Sequence, residues 1–279
     1  MKRITDKIID DYKRYLINEE KSPATLEKYF RDLREFCLWI PDTCLTKDAV
    51  LKYKEKIISE YSCASVNSII SSLNSFFSFN GWYDLKIKTV KVQRQMFSTS
   101  EKELTKSEYE RLLSVAEHSK NKRIYFVMQT ICSTGIRVSE LKYITVSSIE
   151  SKRAEIRCKG KRRTVFLPNQ LCVILKRYLK EQKITSGSVF VTKNGKALDR
   201  SNIWSEMKKL CKKANVSEKK VFPHNLRHLF ARTYYTIQKD IVRLADILGH
   251  SSVNTTRIYT VESGEIHRKQ IQKLGLLRC

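Results

Sequence analysis

Apolar side chains recur at helical spacing through the N-terminal part of the chain. Leu26, Tyr29, Phe30, Leu33, Phe36, Cys37 and Ile40 share one helical face, the stripe that an amphipathic helix needs in order to bury one side. Ser22-Pro23 stands just ahead of them, a hydroxyl to cap free amides followed by a proline where no amide is required. Val66, Ile69, Ile70, Leu73, Phe76 and Phe77 trace a second helix that stops near Asn80-Gly81, a combination that ends helices. Residues 1–83 are predicted to form a small all-helical domain.

From 84 to 103 the helical period disappears and DLKIKTVKVQRQMFSTSEKE turns polar and basic, which predicts the end of that domain plus a linker. Thr105-Lys106-Ser107-Glu108 has the capping-box pattern and opens a second domain, 104–279. Inside it, AEIRCKGKRRTVFLP (154–168) alternates apolar and polar residues on both sides of Lys159-Gly160-Lys161. That is the pattern of a hairpin whose glycine permits the turn. The rest reads as helix. The predicted fold class is mainly α with a small antiparallel β-sheet (α+β), without internal repeats or low-complexity tracts.

Charge changes this picture from a fold to a partner. Lys and Arg total 54 against 29 Asp and Glu, a net charge of +25 and a pI near 9.8. Such an excess calls for a polyanion, and nucleic acid is the leading candidate because phosphate contacts release counterions. The basic residues are spread along the chain and do not gather on one amphipathic helix, which argues against a membrane surface. No stretch approaches the roughly 18 to 20 apolar residues of a membrane span. The eight cysteines, at 37, 44, 63, 132, 158, 172, 211 and 279, form no C-x-x-C pair. They are expected to be reduced thiols of a cytoplasmic protein, and no metal or other cofactor is expected.

Four stretches of the second domain carry chemistry-bearing side chains: STGIRVSEL (133–141), the hairpin tip at Lys159, PHNLRHLFA (223–231) and LGHSSVNTTRIYT (248–260). Each has an ordinary explanation. Arg137 and Glu140 make a helical ion pair, Lys159 is one cation in a basic hairpin, His224 opens a helix, and Tyr259 is a packing aromatic. His228 competes with His224 for any histidine role.

Taken together and in this order, they resemble the tyrosine recombinase (phage integrase) family. The resemblance spans nearly the whole chain. KSPATLEKYFRDLREFCLWI is similar to the family's core-binding domain, and TGIRVSEL, the KGK tip, HNLRH and LGHSSVNTTRIY are similar to its catalytic signatures. The separations 224 to 227, 227 to 250 and 250 to 259 match a Xer-like pattern.

The resemblance implies a two-domain clamp on DNA, a SAM-like helical domain plus a catalytic domain, and a catalytic set of Arg137, Lys159, His224, Arg227, His250 and Tyr259 supported by Glu140. Tyr259 is then the nucleophile and His224 its acid/base partner. Arg137 and Arg227 neutralise charge on the phosphate, His250 hydrogen-bonds it, and Lys159 protonates the leaving 5′-oxygen. Two guanidinium forks suit a phosphate because each is planar, permanently cationic and bidentate. A 3′-phosphotyrosyl link conserves bond energy, so ATP and magnesium are not required.

The implied partner is double-stranded DNA with paired inverted-repeat core sites, bound by a homo-tetramer that is monomeric or weakly associated when free, at the nucleoid. SVNSIISSLNSFF (65–77) departs from the family in lacking basic residues. Asn67, Ser71 and Asn74 are expected to hydrogen-bond DNA instead, or this domain to bind it more weakly, and Lys28, Arg31, Lys161 and Arg162 are the other expected DNA contacts. No arm-binding domain is expected ahead of a helical region that starts so near residue 1. Ile266, Ile271, Leu274 and Leu277 of the tail are available for burial against this chain or a neighbour. Two other readings stay open: a non-catalytic DNA-binding protein on this scaffold, and a type IB topoisomerase-like enzyme.

Overall fold

The computed structural model describes residues 2–40, 45–91, 102–119, 121–158, 161–192, 194–259 and 272–273. The chain divides into two compact units, Met1–Arg94 and Gln95–Cys279. Among the described residues no helix is long and apolar enough to cross a membrane.

The first unit is built from α1 (Asp6–Asn18), α2 (Pro23–Trp39), α3 (Lys47–Glu60) and α4 (Cys63–Phe79). The Ser22 hydroxyl accepts from the Thr25 amide at the start of α2, and Ser62 does the same for Ser65 at α4. The apolar stripes meet in a core of Tyr12, Leu33, Phe36, Tyr53, Ile70, Leu73, Phe76 and Phe77. Its aromatic rings pack edge-on, as ring quadrupoles favour: Tyr12 with Phe76 at 5.2 Å and Phe36 with Tyr53 at 4.9 Å.

The start of the stretch after residue 84 completes this unit: Leu85 and Ile87 are buried in its core and Val90 packs on it. Asn74 and Asn67 hold it there. Each side-chain amide donates to a backbone carbonyl and accepts from the same residue's N–H, Asn74 at Ile87 (2.8 and 3.0 Å) and Asn67 at Val90 (2.9 and 2.7 Å). Both ends of each amide are thus committed inside the unit. Lys28 is likewise withdrawn: its Nζ donates to Asp32, to the Ser68 carbonyl and to Ser72, using all three ammonium donors. Asp32 is buried, and a buried carboxylate needs such partners. Arg31 stays largely exposed beside it.

The second unit runs through α5 (Lys106–Glu117), α6 (Arg123–Thr134), a 3-10 turn (Val138–Tyr143) and α7 (Val146–Glu150) into β1 (Arg153–Cys158) and β2 (Lys161–Phe166). It continues through α8 (Asn169–Gln182), α9 (Arg200–Ala214), α10 (Pro223–Gln238), α11 (Ile241–Leu248), α12 (Val253–Thr256) and a last 3-10 turn, Arg257–Tyr259. The capping box forms as read: Thr105 accepts from the Glu108 amide while Glu108 accepts from the Thr105 amide. Strands β1 and β2 pair antiparallel from Arg153 opposite Phe166 to Cys158 opposite Lys161. Lys159 lies outside the described residues. The hydrophobic tail positions Ile266, Ile271, Leu274 and Leu277 also lie outside them. α10 packs along α6, whose Val127, Met128 and Ile131 lie in the middle of the core.

Candidate active site

Three turns meet beside α10. The first follows α6, where Gly135 takes a left-handed φ of +64°. A methyl group there would sit 2.6 Å from Cε1 of Phe230 and 3.0 Å from Leu248, so both the backbone and the packing demand glycine. This turn leads straight to Arg137. Glu140, in the same turn, is buried and accepts from the Arg137 backbone amide at 2.7 Å and from its Nη1 at 3.0 Å. Burial alone would raise the Glu140 pKa. The Arg137 amide and the charges of Arg163 and Arg137 outweigh it and hold the carboxyl below its usual value.

The second turn follows α11. Gly249, at φ +63°, ends that helix, and a side chain there would meet Arg163, 2.5 Å from Cδ and 2.8 Å from Nε. His250 comes next. The third is the Arg257–Tyr259 turn at the end of the continuously described chain.

Arg227, one turn into α10, is the largest fully buried side chain among the described residues. Its Nη1 donates to the Gly135 carbonyl at 2.6 Å; its Nη2 donates to the Leu248 carbonyl at 2.7 Å and to Nε2 of His250 at 3.0 Å. Burial first, then the Arg137 charge, pulls its pKa down to about 10, while Tyr259 acts in the opposite direction. It stays cationic at neutral pH.

A guanidinium can only donate, so Nε2 of His250 must be the accepting nitrogen. Nδ1 then carries the proton and donates to Thr256 Oγ1 at 2.8 Å. Desolvation and the surrounding cations, Arg227, Arg137 and Arg163, lower the His250 pKa to about 4, which keeps the ring neutral. Tyr259 is buried against Ala231, Leu244 and Leu248. Its ring stacks on His250 at 6.0 Å and meets His228 edge-on at 4.7 Å. His228 in turn touches His224, 4.5 Å between ring centres. His224 faces solvent at the start of α10; partial desolvation and the Arg227, Arg200 and Arg137 charges lower its pKa.

The structure thus gathers Arg137, Glu140, His224, Arg227, His250 and Tyr259 in one place. Arg162 is exposed on β2. Two contributors were missed by sequence reading. Thr256 carries no signal beyond a hydroxyl near the tyrosine. Arg163 did carry one: the strand alternation that buries Ile156 and Val165 turns this arginine inward with them.

A helical first unit and a second unit that packs a buried arginine, an imidazole and a tyrosine together define a fold and site of the integrase type. The chain matches the phage integrase family over residues 102–265 and the phage integrase N-terminal SAM-like domain over residues 9–82. It is 31% identical to tyrosine recombinase XerA of Thermococcus kodakarensis, covering 98% of this chain and 96% of that protein. It is 29% identical to tyrosine recombinase XerD of Listeria innocua, covering 91% and 93%. Among solved structures, a lambda integrase (75-356) dimer bound to a COC' core site shares the fold at a TM-score of 0.75 and 18% identity, over 91% of this chain and 94% of that one. The chain belongs to the phage integrase family and is a tyrosine-type site-specific recombinase.

Proposed function

We propose that this recombinase cuts and rejoins DNA through a 3′-phosphotyrosyl intermediate, without metal or ATP, using Tyr259 as nucleophile. The observation that carries this reading is the direct contact of Arg227 with His250 at 3.0 Å beside the ring of Tyr259. Neutral His224 accepts the phenol proton, which must leave as the oxygen attacks. The tyrosyl oxygen bonds to phosphorus, the bond to the 5′-oxygen breaks, and Lys159 gives that oxygen a proton. Arg137, Arg227 and His250 hold the non-bridging oxygens, and Glu140 positions Arg137. Rejoining is the reverse, with a 5′-hydroxyl displacing the tyrosine.

Tyr259 is only 4% exposed, so engagement of a phosphate requires its side chain to leave the His228–Leu244 pocket. The DNA partner is a pair of inverted-repeat core sites held by four copies of this chain, monomeric or weakly associated before binding. The first unit contributes backbone contacts through Arg31, and the hairpin through Lys161 and Arg162. The protein acts at the nucleoid, serving a mobile element or the resolution of chromosome dimers.

The test uses a nicked duplex carrying the site that the protein enriches from a random-sequence pool. A covalent protein–DNA adduct is expected in EDTA and absent from Tyr259→Phe. An adduct that persists in Tyr259→Phe, or none from the unaltered protein, overturns the reading.

A further inference from the structure

Arg163 stands where the hairpin pattern calls for an apolar residue. It is paired with Ile156 across the sheet, and its side chain is only 15% exposed. Its Nη2 donates to Glu140 Oε2 at 2.6 Å, the carboxylate whose other oxygen receives Arg137. Its Nη1 donates to the Ile247 carbonyl in the last turn of α11. Its methylene stem fills the space that a side chain on Gly249 would occupy. One guanidinium therefore touches the turn that carries Arg137 and the turn that carries His250. Arg137 itself reaches the second turn, through Nη2 to the Gly249 carbonyl at 3.4 Å.

Burying a third cation beside Arg137 and Arg227 is electrostatically unfavourable, and the buried Glu140 carboxylate compensates only part of it. A hydrophobic residue would fill the same position without that cost. What it could not do is join two separate turns by directional hydrogen bonds, which the two ends of the Arg163 fork do from one position.

We infer that Arg163 is a positioning residue for strand cleavage: it fixes Arg137, through Glu140, against the Gly249-His250 turn, so that both reach the same phosphate. This rests on the proposed chemistry at Tyr259. A lysine keeps the charge but presents a point donor without the fork, so it holds one turn and releases the other.

The experiment measures single-turnover adduct formation by the full-length chain on the enriched site, with either a natural phosphodiester or a neutral methylphosphonate at the cleavage position. Arg163→Ala is expected to slow cleavage of the phosphodiester on the order of 100-fold, the penalty of displacing a reacting group by about 1 Å. Arg163→Lys should recover part of this, and DNA affinity should stay within about 3-fold, because only the transition state needs the aligned pair. On the methylphosphonate, where one negative charge is gone and less guanidinium stabilisation is needed, the same variant should lose only a few-fold. Equal losses on the two substrates would mean general structural damage and overturn the inference. So would unchanged rates. If Arg163→Ala does not fold, Arg163→Lys and Arg163→Gln give the same two-substrate ratio. Failure of the unaltered protein to form any adduct would instead remove the Tyr259 chemistry, and this inference with it.

Discussion

The guanidinium of Arg227 donates to Nε2 of His250 at 3.0 Å, and that one contact sets the tautomer of the histidine. Because the arginine cannot accept, the imidazole proton sits on Nδ1, which donates a hydrogen bond to Thr256 Oγ1. Thr256 is fully buried, so no water replaces it. Thr256→Val keeps the shape and removes the acceptor. It should destabilise the protein by about 1 to 3 kcal/mol, the cost of a buried unpaired donor, while Thr256→Ser loses less. Denaturant unfolding of the two variants checks this, and nitrogen NMR of His250 should show the Nδ1–H form in the unaltered protein.

His228 and His250 both have pKa values lowered to about 4, by desolvation first and then by neighbouring positive groups. Unfolded, each would titrate near 6.5. The unfolded chain therefore binds more protons between these values, and stability must fall as pH falls. Their contribution is complete above about pH 6.5 and is progressively lost down through pH 4. Thermal unfolding followed across that window should show a smaller pH slope in His228→Gln than in the unaltered protein. An identical slope would exclude His228 as a source.

Gly135 combines a left-handed backbone with a close approach to Phe230 and Leu248. Gly135→Ala adds backbone strain and overpacking, together about 2 kcal/mol or more. The Gly135 carbonyl is also an acceptor for Arg227. Loss of adduct formation should therefore exceed what the loss of folded protein explains, a comparison of activity with unfolding curves.

Asn67 and Asn74 clamp the backbone of Val90 and Ile87. Removing either amide leaves part-buried backbone groups unpaired, at about 1 to 3 kcal/mol. Hydrogen exchange at the Ile87 amide in Asn74→Ala, and at the Val90 amide in Asn67→Ala, should accelerate. The salt dependence of DNA binding should stay unchanged in both, since no phosphate contact is removed. A reduced slope would return these residues to the DNA interface.

How legible was this in the chain? Arg137, Glu140, His224, Arg227, His250 and Tyr259 each have an ordinary explanation alone and were legible as a set only through the resemblance of their motifs to the tyrosine recombinase family; the structure brings them together. The internal partners of Lys28, Asn67 and Asn74 were not legible for one reason: a polar residue on an amphipathic helix looks the same whether it faces solvent or a polar partner inside the unit. How far the first domain extends past residue 84 was hard to read because Lys86 and Lys88 alternate with the buried Leu85 and Ile87, and the partners of this stretch are side-chain amides rather than a second strand. Arg163 was lost among the basic residues of its hairpin, although its inward register was available.

Periodicity, capping and hairpin alternation are set by neighbours a few residues apart, so α2, α4, the start of α5 and the β1–β2 hairpin were written in the chain itself. Which groups share a carboxylate, which imidazole nitrogen holds its proton, and that Arg163 bridges two turns were decided only by folding. Those facts depend on contacts across 23 residues, between Arg163 and Glu140 or Arg227 and His250, or across as many as 112, between Arg137 and Gly249. Burial is the physical reason: a charge or a proton is placed by whatever desolvates and neutralises it, and that company is assembled by tertiary packing.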